Sequence, residues 1–247
     1  MSRFPTAPPW YRPLLSASGA ALRLLLPLVP GRAAAPPDPV THHIRHPDHR
    51  HSASERIVPQ SHRGADRNLP LHVARYAWAL PACEGKQVVD LGCGTGYGTV
   101  MLSSLAGSVT GVDVSSEAIA TAKRLYPGLD FRTADLISSE LPDGELGVCF
   151  EVLEHLDDPE TALDRFFGAY ERLLVSFPNP LASGSHINPH HRVDWPLVTL
   201  KRKLRRAGAG RLKVLRQGYF SSAIRTRRVG PALTWIIDAE RASGQQP

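Results

Sequence analysis

Val88-Val89-Asp90-Leu91-Gly92-Cys93-Gly94-Thr95-Gly96-Tyr97-Gly98 constrains this chain more than any other stretch. Apolar and β-branched residues around one acid read as a buried strand. The glycines after it read as a turn whose backbone passes close to a ligand before a helix starts. The spacing narrows the ligand. A dinucleotide fingerprint needs glycine at the first, third and sixth positions, and the sixth here is Tyr97. The G-x-G-x-G of Gly92, Gly94 and Gly96 therefore argues against a dehydrogenase.

Strand-like and helix-like runs alternate downstream. Ser108–Val114 reads as a second strand ending in Asp113, near the interval of about 20 residues at which an acid meets ribose hydroxyls in nucleotide-binding folds. A carboxylate accepts hydrogen bonds from both hydroxyls of one ribose. Ser116–Arg124 reads as a helix capped by Ser115 or Ser116, and Leu129–Arg132 as a third strand followed by Ala134-Asp135-Leu136. Leu146–Phe150 reads as a fourth strand and Asp157-Asp158-Pro159-Glu160 as the start of a helix, with a fifth strand over Arg172–Phe177. Pro196–Ala207 reads as a helix, and Arg211–Gln217 and Ala232–Asp238 as the last strands. The pattern predicts one α/β domain with a Rossmann-like, doubly wound, mostly parallel seven-stranded sheet. Lys86–Asp238 is long enough for one buried core.

The glycine turn after an acid, then Asp113 and Asp135 in that order, resembles the first motifs of class I S-adenosylmethionine (SAM)-dependent methyltransferases. That resemblance implies SAM as cofactor and a pocket drawn from Asp90, Gly92, Cys93, Gly94, Gly96, Asp113, Val114, Ala134, Asp135 and Leu136, with Asp135 beside the adenine amino group. Upstream, Glu55-Arg56-Ile57-Val58-Pro59 and His72-Val73-Ala74-Arg75-Tyr76 resemble the E-R-x-x-P and H-x-A-R-Y segments of a bacterial subset. There the helix is a lid over the SAM site, with Arg75 and Tyr76 within reach of the methionine end. Spacing alone asks only for a helix packed on the sheet. The expected organisation is a Pro/Ala/Arg/His-rich tail (1–53), a helical lid (54–85), the catalytic domain (86–238) and a short tail (239–247).

Acceptor chemistry is expected after the fourth strand. If Glu151-Val152-Leu153-Glu154-His155 begins a helical turn, Glu151, Glu154 and His155 share one face. Two carboxylates and an imidazole at a strand's carboxyl end are costly to bury without a task. Ser176-Phe177-Pro178-Asn179 and Asn188-Pro189-His190-His191-Arg192-Val193-Asp194-Trp195 resemble the same subset, many of whose members modify glycans. E-x-x-E-H with a later H-x-x-[DE]-[FW] also resembles small-RNA 3′-terminal 2′-O-methyltransferases. That resemblance implies a divalent metal, Mn²⁺ or Mg²⁺, held by Glu151, Glu154, His155 and His191, with His186 and His190 as alternatives. The metal-free reading leaves Glu154 and His155 as the catalytic pair, with His155 as general base. The expected reaction is O-methylation of a hydroxylated glycan or small metabolite. RNA ribose 2′-O-methylation and a catalytically silent SAM-binding partner are the alternatives. Two departures from the family pattern, Glu145-Leu146 opening the fourth strand and Tyr170-Glu171-Arg172-Leu173 in place of a glycine pair, bear on the acceptor side only.

Charge is concentrated late. Eleven basic residues and no acid lie between Trp195 and Ile237, against a net charge of +6 for the 247-residue chain. The cluster reads either as an RNA-binding face or as a solvated surface; anionic lipid could use it as well. Leu14–Pro30 is apolar but interrupted by Arg23 and Pro27, short of a membrane span. With three cysteines and no C-x-x-C, a reducing, cytoplasmic setting is expected. The five histidines of Thr41–His51 are a tract that binds metal adventitiously.

Overall fold

The computed structural model describes residues 69–182, 190–218, 221–226 and 232–244. The tail 1–53 with its histidine tract, the Glu55–Pro59 segment and His186 lie outside the described residues. The elements are α1 (Leu69–Cys83), β1 (Gln87–Leu91), α2 (Tyr97–Leu102), β2 (Ser108–Asp113), α3 (Ser116–Leu125), β3 (Asp130–Thr133), β4 (Leu146–Phe150), a 3₁₀ turn (Leu153–His155), α4 (Pro159–Ala169), β5 (Arg172–Pro178), α5 (Leu197–Arg206), β6 (Ala209–Gly218), β7 (Ser221–Arg225) and β8 (Ala232–Arg241).

One sheet runs in the order β3-β2-β1-β4-β5-β8-β6-β7. Strands β1 to β5 are parallel, and β8 enters antiparallel between β5 and β6. The sequence predicts seven strands, and the structure adds an eighth. β6 runs one residue past Gln217, to Gly218, and pairs with an antiparallel partner, β7, which forms the sheet edge. The order reverses beside β1, so the carboxyl ends of β1, β2 and β4 border the crevice where α/β sheets take ligands.

Helices cover both faces, and the alternation of side chains along each strand decides what they meet. Val89 and Leu91 of β1 face one layer. They join Val175, Phe177 and Ile237 in a core with Ala162, Leu163, Phe166 and Phe167 of α4 and Leu200 and Leu204 of α5. Asp90 points the other way, towards α1 and α2, and is fully buried. Tyr76 of α1 donates its hydroxyl to Asp90 Oδ1 at 3.1 Å, and Thr99 of α2 donates to Oδ2 at 2.7 Å. Tyr76 also packs edge-on against Phe150. The expected caps form: Ser115 accepts from the Ala118 amide and Asp158 from that of Thr161. The departure before β5 has a packing role. Tyr170 fills the space beside Gly144 and Gly147 and donates its hydroxyl to the Pro142 carbonyl.

Burial pushes the Asp90 carboxyl up to about 6; the bonds from Thr99 and Tyr76 oppose the rise and the Asp113 charge adds to it. An acid more protonated in the folded than in the unfolded state contributes stability that is full below about pH 4 and is lost as pH rises to about 6. The expected difference is about 3 kcal/mol. Urea unfolding of Asp90→Asn beside the parent, from pH 4 to pH 7, should show the parent losing that much relative to the variant.

Candidate active site

The turn after β1 is built from three left-handed glycines, Gly92 (φ 80°), Gly94 (φ 54°) and Gly96 (φ 83°). Two of them are required by packing as well. A Cβ on Gly92 would lie 2.4 Å from Val152 Cγ2, and one on Gly96 would lie 2.7 Å from the Phe131 ring. Around Gly94 nothing stands within 4 Å of that position. Its amide donates to Asp113 Oδ2 at 2.9 Å, while Ser115 donates its amide to Oδ1 at 2.9 Å. The carboxylate at the end of β2 is thereby fixed against the open side of the glycine turn. Asp135 accepts from the Ile137 amide at 2.8 Å, and the Ala134 amide reaches the Asp113 carbonyl. An open glycine edge with an immobilised acid beside it fits a nucleoside whose ribose hydroxyls need acceptors.

Not every expected pocket residue faces that side. Asp90 is held inside by Tyr76 and Thr99, which engage both of its carboxyl oxygens. Cys93 packs among Ile119, Ala122 and Phe131, and Leu136 belongs to the layer under α4. Val114 is exposed at the end of β2.

Glu151 departs from the helical register that the sequence suggests. Its φ is +55°, and the 3₁₀ turn begins only at Leu153. The left-handed residue breaks the i, i+3, i+4 alignment, so its carboxylate leaves the face of Glu154 and His155. Ser176 donates to Glu151 Oε1 at 2.7 Å and accepts from the Glu151 amide at 2.9 Å. Arg75 Nη1 lies 3.5 Å from the same oxygen. Arg75, 2% exposed, also donates to Gln217 at 2.7 Å and Thr234 at 3.2 Å, while Gln217 donates to the Leu71 carbonyl. One guanidinium thus ties α1 to the ends of β4, β6 and β8. Removing one partner of a buried ion pair leaves the other charge without compensation. Arg75→Met should cost about 3 kcal/mol in urea unfolding.

The remaining three expected metal ligands converge. Glu154, His155 and His191 each offer a ligand atom, all within 4.8 Å of one another. Glu154 is 1% exposed, with Oε1 3.9 Å from His155 Nε2. The Glu154 carbonyl accepts the Arg192 amide at 2.6 Å and faces the Val193 amide at 3.4 Å, which docks the segment carrying His191. His155 Nδ1 meets the His190 carbonyl at 3.1 Å. A carbonyl only accepts, so this contact places the imidazole proton on Nδ1 and leaves the Nε2 lone pair towards Glu154. The His155 and His191 rings stand edge to face at 5.0 Å, and Asp194 Oδ1 lies 3.9 Å from His191 Nδ1. Two imidazoles and a buried carboxylate, with the His155 ring oriented from behind by the His190 carbonyl, are a donor set suited to Mn²⁺, Fe²⁺ or Co²⁺.

Sequence reasoning named Arg75 without a partner and quoted Ser176 and Asp194 inside motifs without a role. The His190 carbonyl carries no side-chain signal and could not have been read from the sequence.

Comparison with known proteins bears on the fold and the cofactor. Residues 89–170 match the family described as a methyltransferase domain. A probable S-adenosylmethionine-dependent methyltransferase of Mycolicibacterium smegmatis is 30% identical over 146 residues, 56% of this chain and 57% of that protein. A ubiquinone biosynthesis O-methyltransferase of Pseudomonas entomophila is 30% identical over 128 residues, 46% of this chain and 55% of that protein. Among solved structures, a SAM-dependent methyltransferase of Thermotoga maritima, a possible histamine N-methyltransferase, superposes with a TM-score of 0.57 at 18% identity, over 71% of this chain and 93% of that one. The chain spans little more than half the length of these curated relatives. The fold, and the match over residues 89–170 that contains the glycine turn, are those of class I SAM-dependent methyltransferases. No helix among the described residues is long and apolar enough to cross a membrane.

Proposed function

We propose that this chain transfers the SAM methyl group to a hydroxyl of a glycan or small metabolite. In this reading Gly94, Asp113 and Asp135 hold the cofactor, and Glu154, His155 and His191 activate the acceptor. The observation that carries the reading is the convergence of those three side chains, with His155 turned by the His190 carbonyl so that Nε2 faces Glu154. A relative named an O-methyltransferase supports oxygen as the methylated atom.

Bound SAM supplies a sulfonium methyl that needs only an in-line nucleophile at contact distance, so positioning accounts for much of the rate. The glycine turn and Asp113 fix the nucleoside end. Glu154, His155 and His191 would hold a divalent cation, whose charge would lower the pKa of an acceptor hydroxyl beside it. Without a cation, His155 Nε2 takes the hydroxyl proton and Glu154 stabilises the imidazolium that results. With the proton gone, to solvent or to His155, the oxygen bonds to the methyl carbon as its bond to sulfur breaks, and S-adenosylhomocysteine leaves.

The test is transfer of tritium from [methyl-³H]SAM to a panel of sugars, catechols and RNA 3′ ends, with and without Mn²⁺. Label should appear as a methyl ether on a sugar or small hydroxylated acceptor. Label confined to RNA 3′ ends would move the reading to ribose 2′-O-methylation, and transfer to nitrogen would contradict it.

A further inference from the structure

The basic run of the C-terminal third divides in the structure into neutralised and unpaired charges. Lys203 pairs with Glu160, Arg211 lies 3.4 Å from Glu240, and Arg216 stacks over Trp235. Lys201, Arg202, Arg205 and Arg206 have no acidic partner among the described residues. All four belong to α5, whose inner side is anchored by Leu200 and Leu204. They fall three, four, seven and eight residues after Val198, so they share its stripe on the helix. Val198 is 75% exposed. The outer face of α5 therefore starts with an exposed aliphatic side chain and continues as four cations.

We propose that this face of α5 docks the protein on an anionic membrane surface. Four uncompensated cations within ten residues call for a polyanion. The segment 1–68 does not supply one, since it carries nine arginines against four acids. Nucleic acid would neutralise the cations, but the stripe offers no aromatic ring for base stacking. It would also leave Val198 in water. At a lipid headgroup layer the cations meet phosphates while the valine enters the boundary with the acyl chains.

The experiment is co-sedimentation of the full chain with phosphatidylglycerol/phosphatidylcholine vesicles at low and high salt, with phosphatidylcholine alone as reference. Arg202→Gln/Arg205→Gln should weaken binding to the anionic vesicles about thirtyfold, at roughly fivefold per cation. Val198→Asp should weaken it as well and reduce the fraction that survives 0.5 M NaCl. Both variants should keep the parent's S-adenosylhomocysteine affinity, which shows that the domain is folded. Arg45→Gln/Arg50→Gln controls for the basic N-terminal segment. Binding lost only in that control, or unchanged by the α5 substitutions, overturns the proposal. So does an RNA oligonucleotide that binds the parent more tightly than the vesicles do and is lost in the α5 variants.

Discussion

Glu154→Ala should lower kcat for methyl transfer about a thousandfold while S-adenosylhomocysteine affinity stays within a factor of three of the parent. The two readouts separate because the cofactor side and the acceptor side of the crevice use different residues. Glu154 meets His155 through its carboxylate, but it holds the Arg192–Val193 segment through its main-chain carbonyl. Alanine keeps that carbonyl, so His191 stays docked and the loss isolates the carboxylate. Removing a buried carboxylate also relieves a desolvation penalty, so the variant should be no less stable than the parent in thermal unfolding. A parallel fall in kcat and cofactor affinity would place Glu154 in the SAM pocket and contradict its assignment to the acceptor.

Gly92→Ala should abolish cofactor binding through the fold, whereas Gly94→Ala should impair it at the surface. At Gly92 a methyl group would meet Val152 at 2.4 Å on a backbone with φ of 80°. Left-handed strain costs about 1–2 kcal/mol and overpacking about 1–3 kcal/mol more. The turn then has to shift, breaking the 2.7 Å bond from the Gly92 amide to the Val112 carbonyl. At Gly94 the strain remains but no protein atom opposes the methyl, which projects to the side where the nucleoside is proposed to lie. Isothermal titration with S-adenosylhomocysteine, beside urea unfolding, should show both substitutions losing affinity but only Gly92→Ala losing several kcal/mol of stability. Val152→Ala in the Gly92→Ala background should recover part of that stability.

The sequence made some features legible because local chemistry determines them. Glycine spacing after a buried strand specifies a left-handed turn, and all three glycines have positive φ. Ser115 and Asp158 cap the helices they precede. The long-range placements were less legible. Glu151 reads as part of a helical face, yet Ser176, 25 residues away, fixes its carboxylate and its backbone turns left-handed. Asp90 stands in the motif that marks the pocket, but the strand's period of two turns it towards Tyr76 and Thr99. The eighth strand came from a hairpin whose partner, Ser221–Arg225, has no strong apolar alternation to signal it.

Mn²⁺ binding followed by EPR, with S-adenosylhomocysteine present, tests the acceptor centre most directly. The parent, Glu154→Ala and His191→Ala should be titrated together, so that ion taken up by the histidine tract cancels between them. The parent should show one Mn²⁺ site that disappears in both variants, with the tract's weaker binding unchanged. The same Mn²⁺ uptake in all three proteins would contradict a metal centre on Glu154, His155 and His191.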